Sequence, residues 1–316
     1  MIPHTTDALT KLQEDILRTI LYFDVFHHPL TADEVYRFLP SNSTTPGEIL
    51  TACQRPPLST FIQSDGTFYS PASNGELLRL AQERLRKEQR ARRYLSIARF
   101  MARLIRRFPF VRGVCISGEL SKGVASAKGD IDYLIITAND RLWIARTLLI
   151  LFKKIFLLNR KKFFCLNHFV SERSFEYGNH SLYAALEVAT LIPLTDYDRY
   201  LEYESANSWI REVLPNFVVN SGDGLIEFKR GSLVQRILEF PLRGAFGGQL
   251  DGMLMGYWKR VWKRRYPEYT EEQRASLFQC KNDVSTSYVG DFLPKVMTQY
   301  RMRLAAFHLK ATSEGV

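Results

Sequence analysis

Apolar residues recur at helical spacing over residues 7–24, where Leu9, Leu12, Ile16 and Ile20 share one face, so the chain opens with a helix. Thr31 and Glu34 have the spacing of a capping box and start a second helix that runs to about Leu39. Thr45, Pro46 and Glu48 mark a third, with a capping hydroxyl, a proline suited to the first turn and a second box. Residues 60–63 and 67–69 then flank Ser64, Asp65 and Gly66, a hairpin signal. Three short helices followed by a hairpin read as a winged helix-turn-helix over residues 1–74. Its third helix offers Glu48, Thr51, Gln54 and Arg55, of which one is a cation. Phosphate neutralisation carries most DNA affinity, so this module is expected to be a poor DNA reader.

Residues 75–109 read as a long linker helix ended by Pro109. Tyr94, Ile97, Ala98, Met101 and Ile105 share a stripe, while Arg92, Arg99, Arg103 and Arg106 fall largely outside it. Residues 110–175 alternate short β-branched runs with a greasy helical stretch. Residues 176–316 read as a helical C-terminal domain, with helices over 205–214, 232–240, 249–265 and 288–309. The run 244–248, Gly-Ala-Phe-Gly-Gly, reads as a loop, since no strand leads into it. Trp258 and Trp262, four apart and flanked by cations, are core residues of a helix or, alternatively, a stacking surface for nucleic acid. The fold class expected is therefore α+β: a winged helix, a central mixed sheet with helices, and a helical end.

With 46% apolar and 24% charged residues, nothing in the composition sets the chain apart from a soluble globular protein. The start, Met1 to Asp7, lacks the cationic and apolar regions of a signal peptide. The stretch 142–158 is broken by Arg146, Lys153 and Lys154, which suits a buried or amphipathic helix and no membrane partner. Cys53, Cys115, Cys165 and Cys280 form no metal-type pair, so a disulfide framework or zinc site is not expected and a cytoplasmic location is. The net charge of +10 is uneven. Between Arg79 and Arg107 eleven Arg and Lys face only Glu83 and Glu88, either a polyanion-binding surface for nucleic acid or a solvated helix face.

The chemistry concentrates over residues 111–137. A short strand, Val114 to Ser117, ends at Gly118; after a polar loop come Gly129, Asp130, Ile131 and Asp132, leading into an apolar strand. Strand alternation puts Asp130 and Asp132 on one face with Ile131 turned away. Adjacent carboxylates repel unless a cation lies between them, and oxygen-rich sites of this kind suit Mg²⁺ or Mn²⁺ completed by water and phosphate oxygens.

This strand, Gly118-Glu119, a ten-residue spacing and Asp130-Ile131-Asp132 on the next strand resemble the DNA polymerase β nucleotidyltransferase superfamily over roughly residues 111–170. Residues 22–26, 141–146 and 214–217 add a resemblance to bacterial proteins that join a winged helix to such a domain. The resemblance implies metal-assisted transfer of a nucleoside monophosphate from an NTP to an acceptor, with Asp130 and Asp132 as metal ligands. Gly118, Glu119, Ser121 and Lys122 would then lie in the nucleotide-binding loop, near the β- and γ-phosphates.

Two departures bear on activity. Glu119 stands where the family commonly has serine, and a carboxylate about 4 Å from a phosphate oxygen costs roughly 4 kcal/mol at an effective dielectric near 20. Lys122 could offset some of this, or Glu119 could point away or ligate a metal. The later strand, 163–170, offers Asn167 and His168 but no third acid. Asn167 could contact metal or substrate, and His168 reads as a polar residue at a strand edge. Glu187 lies in an otherwise apolar helix, either a catalytic base or a surface glutamate, and Lys281 and Asp283 are candidates to face the cleft. A non-enzymatic alternative is a degenerate fold that binds nucleotide or nucleic acid as a regulator or adaptor.

Overall fold

The computed structural model describes residues 8–40, 44–228, 233–288 and 292–309. The start of the chain, the expected helix onset at Ser232 and residues 289–291 lie outside these residues; Tyr288, where the last helix is expected to begin, is not helical. Thr10, Thr31 and Thr45 each cap a helix reciprocally with Gln13, Glu34 and Glu48, which sets the starts of α1 (Lys11–Asp24), α2 (Ala32–Arg37) and α3 (Pro46–Gln54). A short α4 (Leu58–Phe61) takes up the beginning of the expected hairpin. The hairpin itself pairs β1 (Ile62–Ser64) with β2 (Tyr69–Pro71), because the Asp65 carboxylate accepts from the Thr67 and Phe68 N–H groups and lengthens the turn.

Next comes α5 (Leu77–Ile105), a helix of 29 residues and so about 43 Å long. Tyr94, Ala98, Ala102 and Ile105 bury the expected stripe. Two of the arginines expected on its wet face are instead buried. Arg84 donates to Glu34 (2.6 Å) and Glu88 (2.9 Å) and stacks over Phe68, tying α5 to the N-terminal module. Arg106 binds Asp196 (2.8 Å) and the Val111 carbonyl (2.9 Å). Arg86, Arg92, Arg93, Arg103 and Arg107 do face solvent.

Beyond α5 the order is β3 (Val111–Ser117), α6 (Gly118–Ser121), β4 (Asp132–Thr137), α7 (Leu142–Phe156), β5 (Cys165–Ser171), α8 (Leu182–Ala189) and β6 (Ile192–Thr195). The chain continues as α9 (Tyr197–Ala206), α10 (Ile210–Val213), α11 (Leu233–Glu239), α12 (Ala245–Arg265), α13 (Glu271–Leu277), β7 (Val284–Thr286) and α14 (Phe292–Ala306). The five strands form one mixed sheet in the order β6-β3-β4-β5-β7, in which β4 and β5 are parallel and the other pairs antiparallel. One face packs through Tyr133, Ile135 and Phe169 on α5, α7 and α12, with Trp143, Trp258 and Trp262 in that core. The other face packs through Cys115, Leu134, Ile136 and Val170 on α8 to α10 and on the N-terminal module. No helix among the described residues is long and apolar enough to cross a membrane.

Three sequence expectations change. The segment 176–316 is not purely helical, since it supplies both outer strands of the sheet. The expected helix over 205–214 is divided, its first residues closing α9 and its last forming α10. The glycine-rich run is not a loop but the start of α12: a Cβ on Gly247 would lie 1.9 Å from the Leu242 carbonyl, so only glycine allows this close turn. Arg141 holds the turn by donating to the Leu242 (2.6 Å) and Gly244 (2.9 Å) carbonyls.

Candidate active site

Ser117 closes β3 directly opposite Asp132, which opens β4. The chain leaves β3 through Gly118 at φ +70°, and a Cβ there would lie 2.6 Å from Asp132 Oδ2. Glycine is thus required twice at this point, by the left-handed backbone and by the carboxylate against it. On the other side of Asp132, the register with β5 slips: Asp132 to Leu134 faces the three-residue step from Cys165 to His168. A bulge of this kind re-aims a side chain. Here the Asn167 amide nitrogen donates to Asp132 Oδ1 at 2.9 Å.

Asp130 lies outside the strand, which differs from the expectation of two strand carboxylates. Ile131 between them is fully buried, with its N–H bonded to the Lys162 carbonyl (2.8 Å) and its carbonyl to the Cys165 N–H (3.1 Å). These bonds extend the ladder toward β5 and hold Asp130 next to the head of the strand.

The loop after Gly118 is fastened at several points. Ser121 Oγ donates to the Gly118 carbonyl (2.9 Å) and meets Thr190 Oγ1 (3.2 Å), stapling α6 to the end of α8. Lys122 Nζ donates to Glu187 (2.8 Å) and to the Gly118 carbonyl (3.2 Å). The Glu119 carboxylate accepts from the Ser126 N–H and hydroxyl, both at 2.8 Å, and so braces the 118–130 loop. The loop also rests on α5, where the Ala125 N–H bonds the Lys87 carbonyl (3.2 Å) and Arg90 donates to the Ala125 carbonyl (2.7 Å).

Burial pushes the Asp132 carboxyl up to about 6; the charges of Asp130, Glu187 and Glu119 add to this, while a hydrogen bond with the Cys165 thiol opposes it. Three neighbouring carboxylates therefore act on Asp132, and Lys122 is bonded to one of them, Glu187. Among the described residues no set of three or more His, Cys, Asp or Glu side chains closes around a point as a metal cage. Asp130 and Asp132 alone still suit Mg²⁺, which is held by one or two carboxylates and takes its other ligands from water and phosphate. Burial first and the neighbouring carboxylates second disfavour the charged form of Asp132, and a divalent cation would favour it.

His168 is not at a strand edge. It is buried on β5 between β4 and β7, with Nδ1 3.1 Å from the Tyr288 hydroxyl. Burial, with Arg146 adding, pushes its imidazole down to about 4, so it is neutral near pH 7. Lys281 and Asp283 lie away from the cleft: Asp283 accepts from Ser171 Oγ (2.6 Å) at the end of β5 remote from Asp132. Three tyrosines escaped the sequence reading. Tyr177 packs its ring 5.9 Å from that of His168, and burial raises the hydroxyls of Tyr177, Tyr183 and Tyr288, with Glu187 adding in each case. Tyr183 precedes Glu187 by one helical turn on α8, the only signal of this wall that spacing could have offered.

No family model, no curated protein and no solved structure matches the chain. The functional reading rests on the residues just described.

Proposed function

We propose that this protein is a Mg²⁺-dependent nucleotidyltransferase built on a nucleotidyltransferase-type sheet behind a winged helix, moving a nucleoside monophosphate from an NTP to an acceptor hydroxyl with release of pyrophosphate. The observation that carries the reading is the head of β4. There Asp132 is half-buried against Gly118, held by Asn167 and crowded by other carboxylates. Asp130 and Asp132 would hold the metal, which supplies charge neutralisation at the phosphate under attack. Asn167 fixes the orientation of the Asp132 carboxylate. Lys122 would exchange its bond to Glu187 for a phosphate oxygen, and the freed Glu187 carboxylate would accept the acceptor's proton. Glu119 is held by Ser126 in the loop, and its charge, which still acts on Asp132, would add to what the metal neutralises.

The Lys122–Glu187 ion pair also favours a second reading. If it persists with nucleotide present, neither group is free, and the fold acts as a nucleotide- or nucleic-acid-binding regulator. A thermal-shift panel of the four NTPs with and without Mg²⁺ or Mn²⁺, on wild type and Asp132→Asn, tests the proposal. Saturation near a hundred times Kd stabilises by about 2.7 kcal/mol. A metal-dependent shift in the wild type alone is expected, and equal shifts in both proteins would overturn the site.

A further inference from the structure

The helix α11 is inside out. Its polar residues Gln235 and Glu239 are the buried ones, 3% and 4% exposed. Gln235 bonds the Phe108 carbonyl (3.0 Å) and Arg106 (3.4 Å), while Glu239 accepts from the Phe110 N–H (2.7 Å) and Arg112 (2.8 Å). The apolar residues point the other way. Leu233, Val234, Ile237 and Leu238 are all at least half exposed, Phe240 beyond the helix is 77% exposed, and Phe246 in the first turn of α12 is exposed too. An ordinary surface helix buries its apolar stripe and wets its polar one. A contiguous apolar surface of this kind on a water-facing element marks a contact site.

We infer that this face of α11 is an interfacial contact for an anionic lipid surface. The charge around it selects the occupant. Arg236 stands exposed on the helix itself, while Arg243 after it and Arg112 beneath it share the single Glu239 carboxylate, so the rim keeps a net positive charge. Glu239, the sole acid in α11, is buried and neutralised by Arg112. A second copy of this chain would bring one arginine rim against another, on molecules that each carry a net +10. Anionic headgroups complement the same rim, and leucine, isoleucine and phenylalanine side chains above it suit the boundary between headgroups and acyl chains. Among the described residues no helix is long and apolar enough to span a bilayer, so the contact inferred is a lateral one made by this face.

Vesicle flotation of the full chain tests this, using phosphatidylcholine vesicles with and without about one-third phosphatidylserine. The wild type is expected to float with the anionic vesicles at low salt and to stay behind with the neutral ones. Ile237→Ser combined with Phe240→Ser is expected to abolish flotation at an unchanged Tm, since both side chains already face water. Arg236→Gln is expected to weaken binding about fivefold, the effect of one cation at a charged surface. It leaves the apolar face intact and stands in if the double variant does not fold. Three results overturn the inference: no flotation of the wild type with either vesicle; flotation unchanged in the variants; or a concentration-dependent dimer by sedimentation that the double variant dissolves and that ignores vesicles.

Discussion

Gly118 and Asp132 occupy each other's space: the carboxylate oxygen Oδ2 fills the position, 2.6 Å away, that any side chain at residue 118 would need. The glycine also stands at φ +70°, so its replacement is strained in the backbone as well as in the contact. Gly118→Ala is expected to destabilise by about 2 kcal/mol or more, from the left-handed backbone and the displaced carboxylate together. Thermal unfolding followed by circular dichroism checks it, and on the proposed function the nucleotide-dependent shift is lost as well. An unchanged Tm would show that residue 118 does not press on Asp132.

The Asp132 carboxyl gives the metal-free protein a distinctive pH response. An aspartate in the unfolded chain loses its proton near 3.8, whereas Asp132 keeps it to about 6. Between these values the folded state holds more protons than the unfolded state, so the contribution of Asp132 to stability falls as pH rises through that window. Asp132→Asn removes the penalty and is expected to stabilise the protein at pH 7 by an amount on the order of 2 kcal/mol. The gain should vanish near pH 4. A variant equally destabilised at both pH values would show that the native carboxylate is well accommodated.

Arg84 is the main polar tie between α5 and the N-terminal module. Its guanidinium is buried and serves Glu34, Glu88 and the Pro29 carbonyl at once. Arg84→Leu leaves Glu34 without its partner and is expected to cost about 3 kcal/mol, the scale for breaking a buried pair. Hydrogen exchange should quicken over residues 30–38 before it does in the sheet. Uniform protection in the variant would place the tie elsewhere.

On the proposed function, Lys122 and Glu187 have separable roles in binding and turnover. Lys122→Ala is then expected to weaken NTP binding by about 1.5–3 kcal/mol, the value of a charged hydrogen bond. Glu187→Gln instead leaves NTP affinity near the wild-type value and removes transfer. Titration calorimetry with each variant distinguishes the two roles. Equal losses of affinity in both would mean that the ion pair acts as one structural unit.

What the sequence made legible follows from range. The three capping threonines act within four residues, so Thr10, Thr31 and Thr45 declare their helices locally. Asp132 stood out because strand alternation is also local, whereas Gly118 and Asn167 became site candidates only through the family resemblance. The burial of Arg84 and Arg106 was hidden, since each depends on a carboxylate at least 50 residues away. β6 and β7 are only four and three residues long, and Pro193 in β6 argues against a strand until the sheet places it at an edge, where a missing donor is tolerated. Tyr177, Tyr183 and Tyr288 come from three segments and carry no shared period. The bulge that turns Asn167 toward Asp132 is a property of pairing, and no single strand records it.

The length of α5 gives the loop at the site a mechanical neighbour. Arg84, which grips the N-terminal module, and Lys87 and Arg90, which carry the Ala125 segment of the 118–130 loop, lie within six residues of one another. That is about 9 Å of one rigid rod. The rod makes the module and the 118–130 loop parts of one lever, so a partner that pulls on α2 loads the segment beside Asp132 without touching it.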